Sequence, residues 1–119
     1  MGGAFAKTIS MFSDKQYQVA ISCASAGDNT LIATPSKGRI TIDHIHAIPE
    51  AATTMTMKHG STAFTGVENY DPQQAFTLEN ADGSYEGLFT CGFQEAFILN
   101  LGSAVQVSGY IKYRVLDWC

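Results

Sequence analysis

Two histidines separated by one residue, His44 and His46, have the types and spacing of a metal-binding pair. Residues i and i+2 of a β-strand lie on the same face, so both imidazoles project from one surface, as in His-x-His metal sites. A third ligand would have to come from Asp43 or His59. However, Asp43 faces the other way in a regular strand, and His59 lies beyond a second strand. Two histidines on a half-solvated strand face need no metal, so we predict no metal site and leave a response to pH as an open question.

The sequence has no residue pattern typical of covalent catalysis. No serine lies in a Gly-x-Ser-x-Gly motif, and the three cysteines (Cys23, Cys91 and Cys119) form no Cys-x-x-Cys pair. Cys23 and Cys91 lie in apolar segments, where cysteine usually behaves as a small buried hydrophobe. Glycine-rich segments precede predicted strands, so they lack the helix N-terminus that binds phosphate groups. We therefore predict a non-enzymatic protein that uses no cofactor.

Strand patterns cover most of the chain and would have to position any site. Apolar residues alternate with polar ones at the period of two that marks a half-buried strand. This pattern occurs at residues 16–24, 53–58, 74–79, 97–101 and 105–115, and residues 30–34, 39–48, 62–65 and 85–91 are also predicted to be strands. Turns are predicted at 27–29 and 59–61, and a loop at 66–73. Short strands at such regular spacing predict an all-β fold: a single antiparallel β-sandwich, jelly-roll-like, with about eight strands.

The composition limits the classes of partner. The chain has 119 residues, and seven Lys+Arg against eleven Asp+Glu give a net charge of -4, so direct binding to nucleic acid is not expected. No apolar run reaches the roughly 18 to 20 residues of a membrane span, and no secretory signal pattern is present, so we expect assembly in a cytoplasm without a membrane partner. Charged residues make up only 15% of the chain, which suggests that much of the surface contacts other protein.

Both ends of the chain carry apolar residues suited to such contacts. Residues 1–12 are predicted to form an apolar arm or an edge strand, ahead of a single β-sandwich domain at 13–119. The edges of a sandwich must be paired, covered or charged, and self-association meets that need in a chain with few charges. A tryptophan next to the end either caps the core or anchors an interface. We predict four partner-interface residues at these ends: Phe5, Met11, Phe12 and Trp118.

Four segments, at residues 26–30, 38–40, 58–66 and 99–110, resemble in content and order a group of small tailed-bacteriophage virion proteins. The resemblance extends over residues 17–115, and its late Asn-Leu-x-x-Ala-Val-Gln-Val-Ser-Gly pattern is more than strand alternation requires. It implies a virion protein of the capsid decoration (cement) type, which binds the outer surface of the major capsid protein lattice as a homo-oligomer, often a trimer, and stabilises the head. The alternatives are a neck, tail or baseplate component of the same virion, and a small carbohydrate-binding β-sandwich module.

Overall fold

Residues 15–80 and 87–116, which the computed structural model describes, are built from strands alone. Within those ranges there are ten strands and no helix. The strands are β1 (Gln16–Cys23), β2 (Gly27–Ile32), β3 (Arg39–Pro49), β4 (Thr53–His59), β5 (Thr62–Ala63), β6 (Glu68–Tyr70), β7 (Phe76–Glu79), β8 (Phe89–Thr90), β9 (Phe97–Leu101) and β10 (Val107–Leu116). The predicted all-β class is confirmed.

The strands form two antiparallel sheets with a jelly-roll order. The first sheet has the order β1-β10-β3, and β7 and β8 both pair with the remaining side of β3. The second has the order β2-β9-β4, and β5 and β6 both pair with the remaining side of β4. Counting β5 with β6 and β7 with β8 as interrupted strands gives eight positions in the orders 1-8-3-6 and 2-7-4-5. This is the order of a jelly roll, so the predicted sandwich of about eight strands is confirmed.

The core lies between the sheets and follows the alternation of each strand. In β9, Phe97, Leu99 and Leu101 are buried, whereas Ile98 and Asn100 are partly exposed. The first sheet contributes a matching inner layer of branched side chains: Ile21, Ile40, Ile42, Ile45, Val107 and Ile111. The burial of each large aliphatic side chain stabilises the fold by about 1.5–3 kcal/mol. This shared apolar layer holds the two sheets face to face.

Two local predictions were wrong. The turn predicted at 27–29 is the start of β2, where Asp28 pairs with Asn100 and Asn29 with Leu99. These polar residues favour turns, but they form part of an edge strand here because they pair with β9. The loop predicted at 66–73 contains the three-residue strand β6, which is too short to show a period of two.

Candidate functional site

Among residues 15–80 and 87–116, strand β1 forms an open edge of the first sheet. It pairs with β10 along its whole length in one uninterrupted register, from Gln16 opposite Arg114 to Cys23 opposite Val107. No strand among the described residues pairs with its other side. Its eight residues include no charge, no proline and no glycine, and five of them are exposed. A long, uncharged edge of this kind presents a row of free N–H and C=O groups to another strand.

The other three edges carry features that discourage pairing. Strand β2 carries Asp28, and its register with β9 shifts between Thr30 and Ile32. The edge along β3 is divided between the four-residue β7, which includes Glu79, and the two-residue β8. The edge along β4 is divided between the two-residue β5 and the three-residue β6, which includes Glu68. Charges, bulges and short strands are the usual means of blocking an edge, so within the described part of the chain β1 is the edge left unblocked.

The core-side residues of β1 continue the apolar layer out to this edge. Ile21 is buried, and Val19 and Cys23 are partly buried against the core. Tyr17 stacks on Tyr113 of β10 with ring centroids 5.5 Å apart, yet 43% of Tyr17 remains exposed. An additional strand beside β1 would therefore cover apolar as well as backbone surface.

The two predicted histidines lie on the outer face of the first sheet and share one aromatic neighbour. The ring centroid of His44 lies 5.2 Å from that of Tyr110, with the planes 8° apart, and the ring of His46 lies 5.7 Å from Tyr110 on a tilt of 38°. The Nδ1 atom of His44 is 3.7 Å from Glu79 Oε2, and the Nδ1 atom of His46 is 2.6 Å from Thr77 Oγ1. His44 Nε2 is buried and has no hydrogen-bond partner. The predicted placement of the two histidines on one face is confirmed.

Neither residue considered as a third metal ligand joins this pair. The strand is not regular at Asp43, because the β3–β10 register shifts opposite Lys112 and Tyr113. The Asp43 carboxylate is bound to Arg114, and His59 lies on β4 in the other sheet. Across residues 15–80 and 87–116, no group of three or more His, Cys, Asp or Glu side chains is placed to hold a metal ion.

Asp43 instead forms a buried ion pair that sequence reasoning missed. Arg114 Nε donates to Asp43 Oδ2 at 2.7 Å and Arg114 Nη2 donates to Oδ1 at 2.8 Å. Gln16 Nε2 donates to Oδ2 at 3.1 Å, and the Asn80 amide lies 3.5 Å from Oδ1. Burial alone raises the pKa of Asp43, but the bonds and charge of Arg114, with the two amides, outweigh burial and hold this pKa below its ordinary value. The ion pair joins β3 to β10, and the hydrogen bond from Gln16 adds β1.

A second polar group contains the residue types of a Cys-His-Glu site. His59 Nδ1 lies 2.6 Å from Glu95 Oε1, and the backbone N–H of Gly92 donates to the same Nδ1 at 3.0 Å. Cys91 precedes Gly92 and is fully buried. Burial, with the charge of Glu95, raises the pKa of Cys91 to about 12. Such a thiol stays protonated at neutral pH and is a poor nucleophile. The contacts of His59 with Glu95 and Gly92 link the turn after β8 to β4.

A shallow groove of about 410 Å³ opens at one end of the second sheet. Its lining mixes hydroxyl, amide and carboxylate groups with apolar surface, and consists of Ala52, Thr53, Thr54, Asn69, Tyr70, Asp71, Gly102 and Ser103. Its base is fixed because Ser103 Oγ donates to Thr53 Oγ1 at 3.1 Å and Gly102 N donates to Thr54 O at 3.0 Å. Burial, and a hydrogen bond donated to Glu68, raise the pKa of Tyr70 to about 12. The groove thus places hydroxyl, amide and carboxylate groups beside one aromatic ring.

The four predicted partner-interface residues, Phe5, Met11, Phe12 and Trp118, lie outside the described residues. Sequence reasoning did predict that an edge would need covering, but it could not single out β1, because the free edge depends on strand order.

Comparisons with known proteins provide no relative for this chain. No family model matches it, and neither the curated proteins nor the solved structures contain a match. No helix within residues 15–80 and 87–116 is long and apolar enough to cross a membrane.

Proposed function

We propose that this chain is a non-enzymatic structural protein of a tailed-phage virion, a capsid decoration protein that binds the outer surface of the major capsid lattice and stabilises the head. The observation that carries the proposal is the open edge strand β1, an eight-residue uncharged strand on a jelly roll whose other edges are blocked. A sheet edge left free in this way is a surface for pairing with protein. The resemblance at residues 26–30, 38–40, 58–66 and 99–110 supplies the virion context.

A lattice partner also fits the low charge of the chain. Charged residues make up 15% of the sequence, so few charges need to be desolvated when a large part of the surface meets protein. Each contact with a capsid subunit can be weak, because a repeating lattice and a self-associating module engage many contacts at once. Residues 1–12 and Trp118 are proposed to add contacts to neighbouring copies or to the capsid.

The decisive experiment is quantitative mass spectrometry of purified virions, which measures the copy number of this chain relative to the major capsid protein. Close to one copy per capsid subunit supports decoration. A few copies per particle would move the protein to the neck, tail or baseplate, and absence from the particle would overturn the virion role. Deletion of residues 1–12 is expected to weaken capsid binding, and unchanged binding and oligomeric state would remove the arm from the proposal.

Saccharide binding is a second candidate, favoured by the groove beside Tyr70, which combines polar groups with an aromatic ring. Hydroxyl, amide and carboxylate groups around one aromatic ring are the chemistry that recognises a neutral sugar. A glycan array tests this candidate, with Asn69→Ala expected to abolish binding and Asn100→Ala expected to keep it. Asn100 is a matched control because it lies on the same sheet, hydrogen-bonded to Asp28 and outside the groove lining. No binding by the wild-type protein to any glycan would eliminate this candidate.

A further inference from the structure

We propose that β1 pairs antiparallel with β1 of a second copy of this chain across a two-fold axis, which joins the first sheets of two copies into one continuous sheet. The inference deepens the proposed function and rests on it only in treating β1 as an assembly edge. It names the occupant of that edge and the register of the contact. The contact would form whether or not the protein is found on a capsid.

The chemistry of β1 favours a second copy as the occupant. Gln16–Cys23 carries no charge, so two copies can meet without repulsion. A strongly charged partner strand would find no complementary charge there. The same pairing at β2 would bring two Asp28 carboxylates close together, and the register shift near Thr30 would interrupt the ladder. Self-pairing is therefore favoured at β1 and disfavoured at β2.

Two independent conditions limit the register to alternate alignments. Residues directly opposite each other in an antiparallel pair have side chains on the same face, so core-side residues must meet core-side residues. The outward-pointing N–H and C=O groups of an edge strand also belong to alternate residues. Both conditions require the two residue numbers of every pair to have an even sum. Complete overlap of the eight residues would pair Gln16 with Cys23, an odd sum, and is excluded.

Of the alignments with an even sum, the one that places Ala20 opposite Ala20 of the second copy is more favourable than the one that places Val19 opposite Val19. Centring on Val19 would place Cys23, which is half-buried, opposite the charged Lys15. Centring on Ala20 places Lys15 opposite the polar, exposed Ser25 and so avoids the desolvation of a charge. In this register the core side has Tyr17 opposite Cys23 and Val19 opposite Ile21, and the outer side has Gln18 opposite Ser22. The contact thus extends both layers of the first sheet across the axis.

Ala20 provides the test because it meets its own copy on the axis and is exposed in the single chain. Sedimentation equilibrium of the full chain is expected to show a dimer. Ala20→Lys and Ala20→Glu each place two like charges directly opposite each other, on Cβ atoms about 5 Å apart, and each is expected to weaken dimerisation about tenfold or more. An equimolar mixture of the two variants is expected to recover the dimer, because the opposed charges then attract. Thr30→Lys, at an exposed position on β2, is the matched control and is expected to leave dimerisation unchanged.

Three results would overturn the inference: a wild-type monomer or trimer, a dimer that tolerates both Ala20 variants, or variants that separate but do not recover on mixing. Circular dichroism of each variant establishes that the fold is retained. Amide hydrogen exchange provides a second measurement, in which alternate β1 amides are protected in the wild type and exchange freely in Ala20→Lys. A virion copy number that excludes decoration would leave these results unaffected, so the two proposals fail separately.

Discussion

Replacing Asp43 by asparagine is expected to destabilise the fold by about 3–5 kcal/mol, because it removes one partner of a buried ion pair. The side chains of Asp43 and Arg114 are only 10% and 11% exposed, and two charge-assisted hydrogen bonds join them at 2.7 and 2.8 Å. Each such bond contributes about 1.5–3 kcal/mol, and its loss leaves the guanidinium without its carboxylate in a region with little access to water. The expected loss is a large fraction of the roughly 5–15 kcal/mol that stabilises a domain.

Equilibrium unfolding in urea measures this loss, and Asp28→Asn is the matched control. Asp28 also accepts hydrogen bonds from a cation and an amide: Lys58 Nζ lies 3.0 Å and Asn100 Nδ2 2.7 Å from Asp28 Oδ1. These groups are on the surface, where an ion pair contributes at most about 1 kcal/mol, so Asp28→Asn is expected to cost no more than that. The paired replacement of Asp43 by leucine and Arg114 by methionine is expected to recover most of the lost stability, because it removes both charges together.

A loss at Asp43→Asn no larger than that at Asp28→Asn would refute the reasoning, because it would mean that Arg114 remains well stabilised once the Asp43 carboxylate is gone. An equal loss in the single variant and the paired replacement would also contradict it. In that case the cost would arise from packing around the bulge of β3 and not from an uncompensated charge.

The titration of Asp43, the close packing at Gly109 and the burial of Cys91 give three further predictions. The pKa of Asp43 is held below its ordinary value of about 3.9, so the ionised carboxylate stabilises the fold above about pH 3.9 and this stabilisation is lost as the pH falls through the folded-state pKa. Urea unfolding at decreasing pH is therefore expected to show a decreasing difference in the free energy of unfolding between the wild type and Asp43→Asn. Gly109→Ala is expected to lower the free energy of unfolding by more than about 2 kcal/mol in urea, because φ is 150° and a Cβ atom would collide with the backbone oxygen of His46. Gly66→Ala, with no atom within 4 Å, should stay within about 0.5 kcal/mol of wild type, and equal losses at the two glycines would contradict the close approach. Burial raises the pKa of Cys91 to about 12, so iodoacetamide is expected to alkylate Cys91 only in urea, as mapped by peptide mass spectrometry, and rapid labelling in the folded protein would contradict this.

Alternation along the sequence was enough to predict the long strands, because burial of one face dominates their energetics. The strand predicted at 97–101 is β9, and the predicted strand at 39–48 is β3 within one residue. The predicted hairpin at 59–61 is also present, as the turn between β4 and β5. The two-residue strands β5 and β8 lie within the segments predicted at 62–65 and 85–91. The three-residue β6 escaped prediction, because its conformation is determined by pairing with β4 and not by a period of its own.

The site features could not be predicted because they depend on register. Asp43 and Arg114 lie 71 residues apart, and their contact requires the one-residue shift between β3 and β10. Charged residues within two otherwise apolar strands were the available signal, but this signal does not say which partner each of them contacts. Similarly, the sequence shows an uncharged segment at Gln16–Cys23, and only the strand order places that segment at an edge.

The Asp43–Arg114 ion pair is connected to the open edge strand β1 through Gln16, and this connection affects how readily β1 pairs with another strand. A terminal edge strand normally frays, because only one neighbour holds its backbone. Here Gln16, the first residue of β1, lies opposite Arg114 and donates to the carboxylate that Arg114 binds, so that end is fastened by side chains as well as by the ladder. The core-side contact of Tyr17 with Tyr113 holds the next residue. An edge fixed in this way has little conformational entropy left to lose when another strand pairs with it, which lowers the free-energy cost of the pairing that we propose.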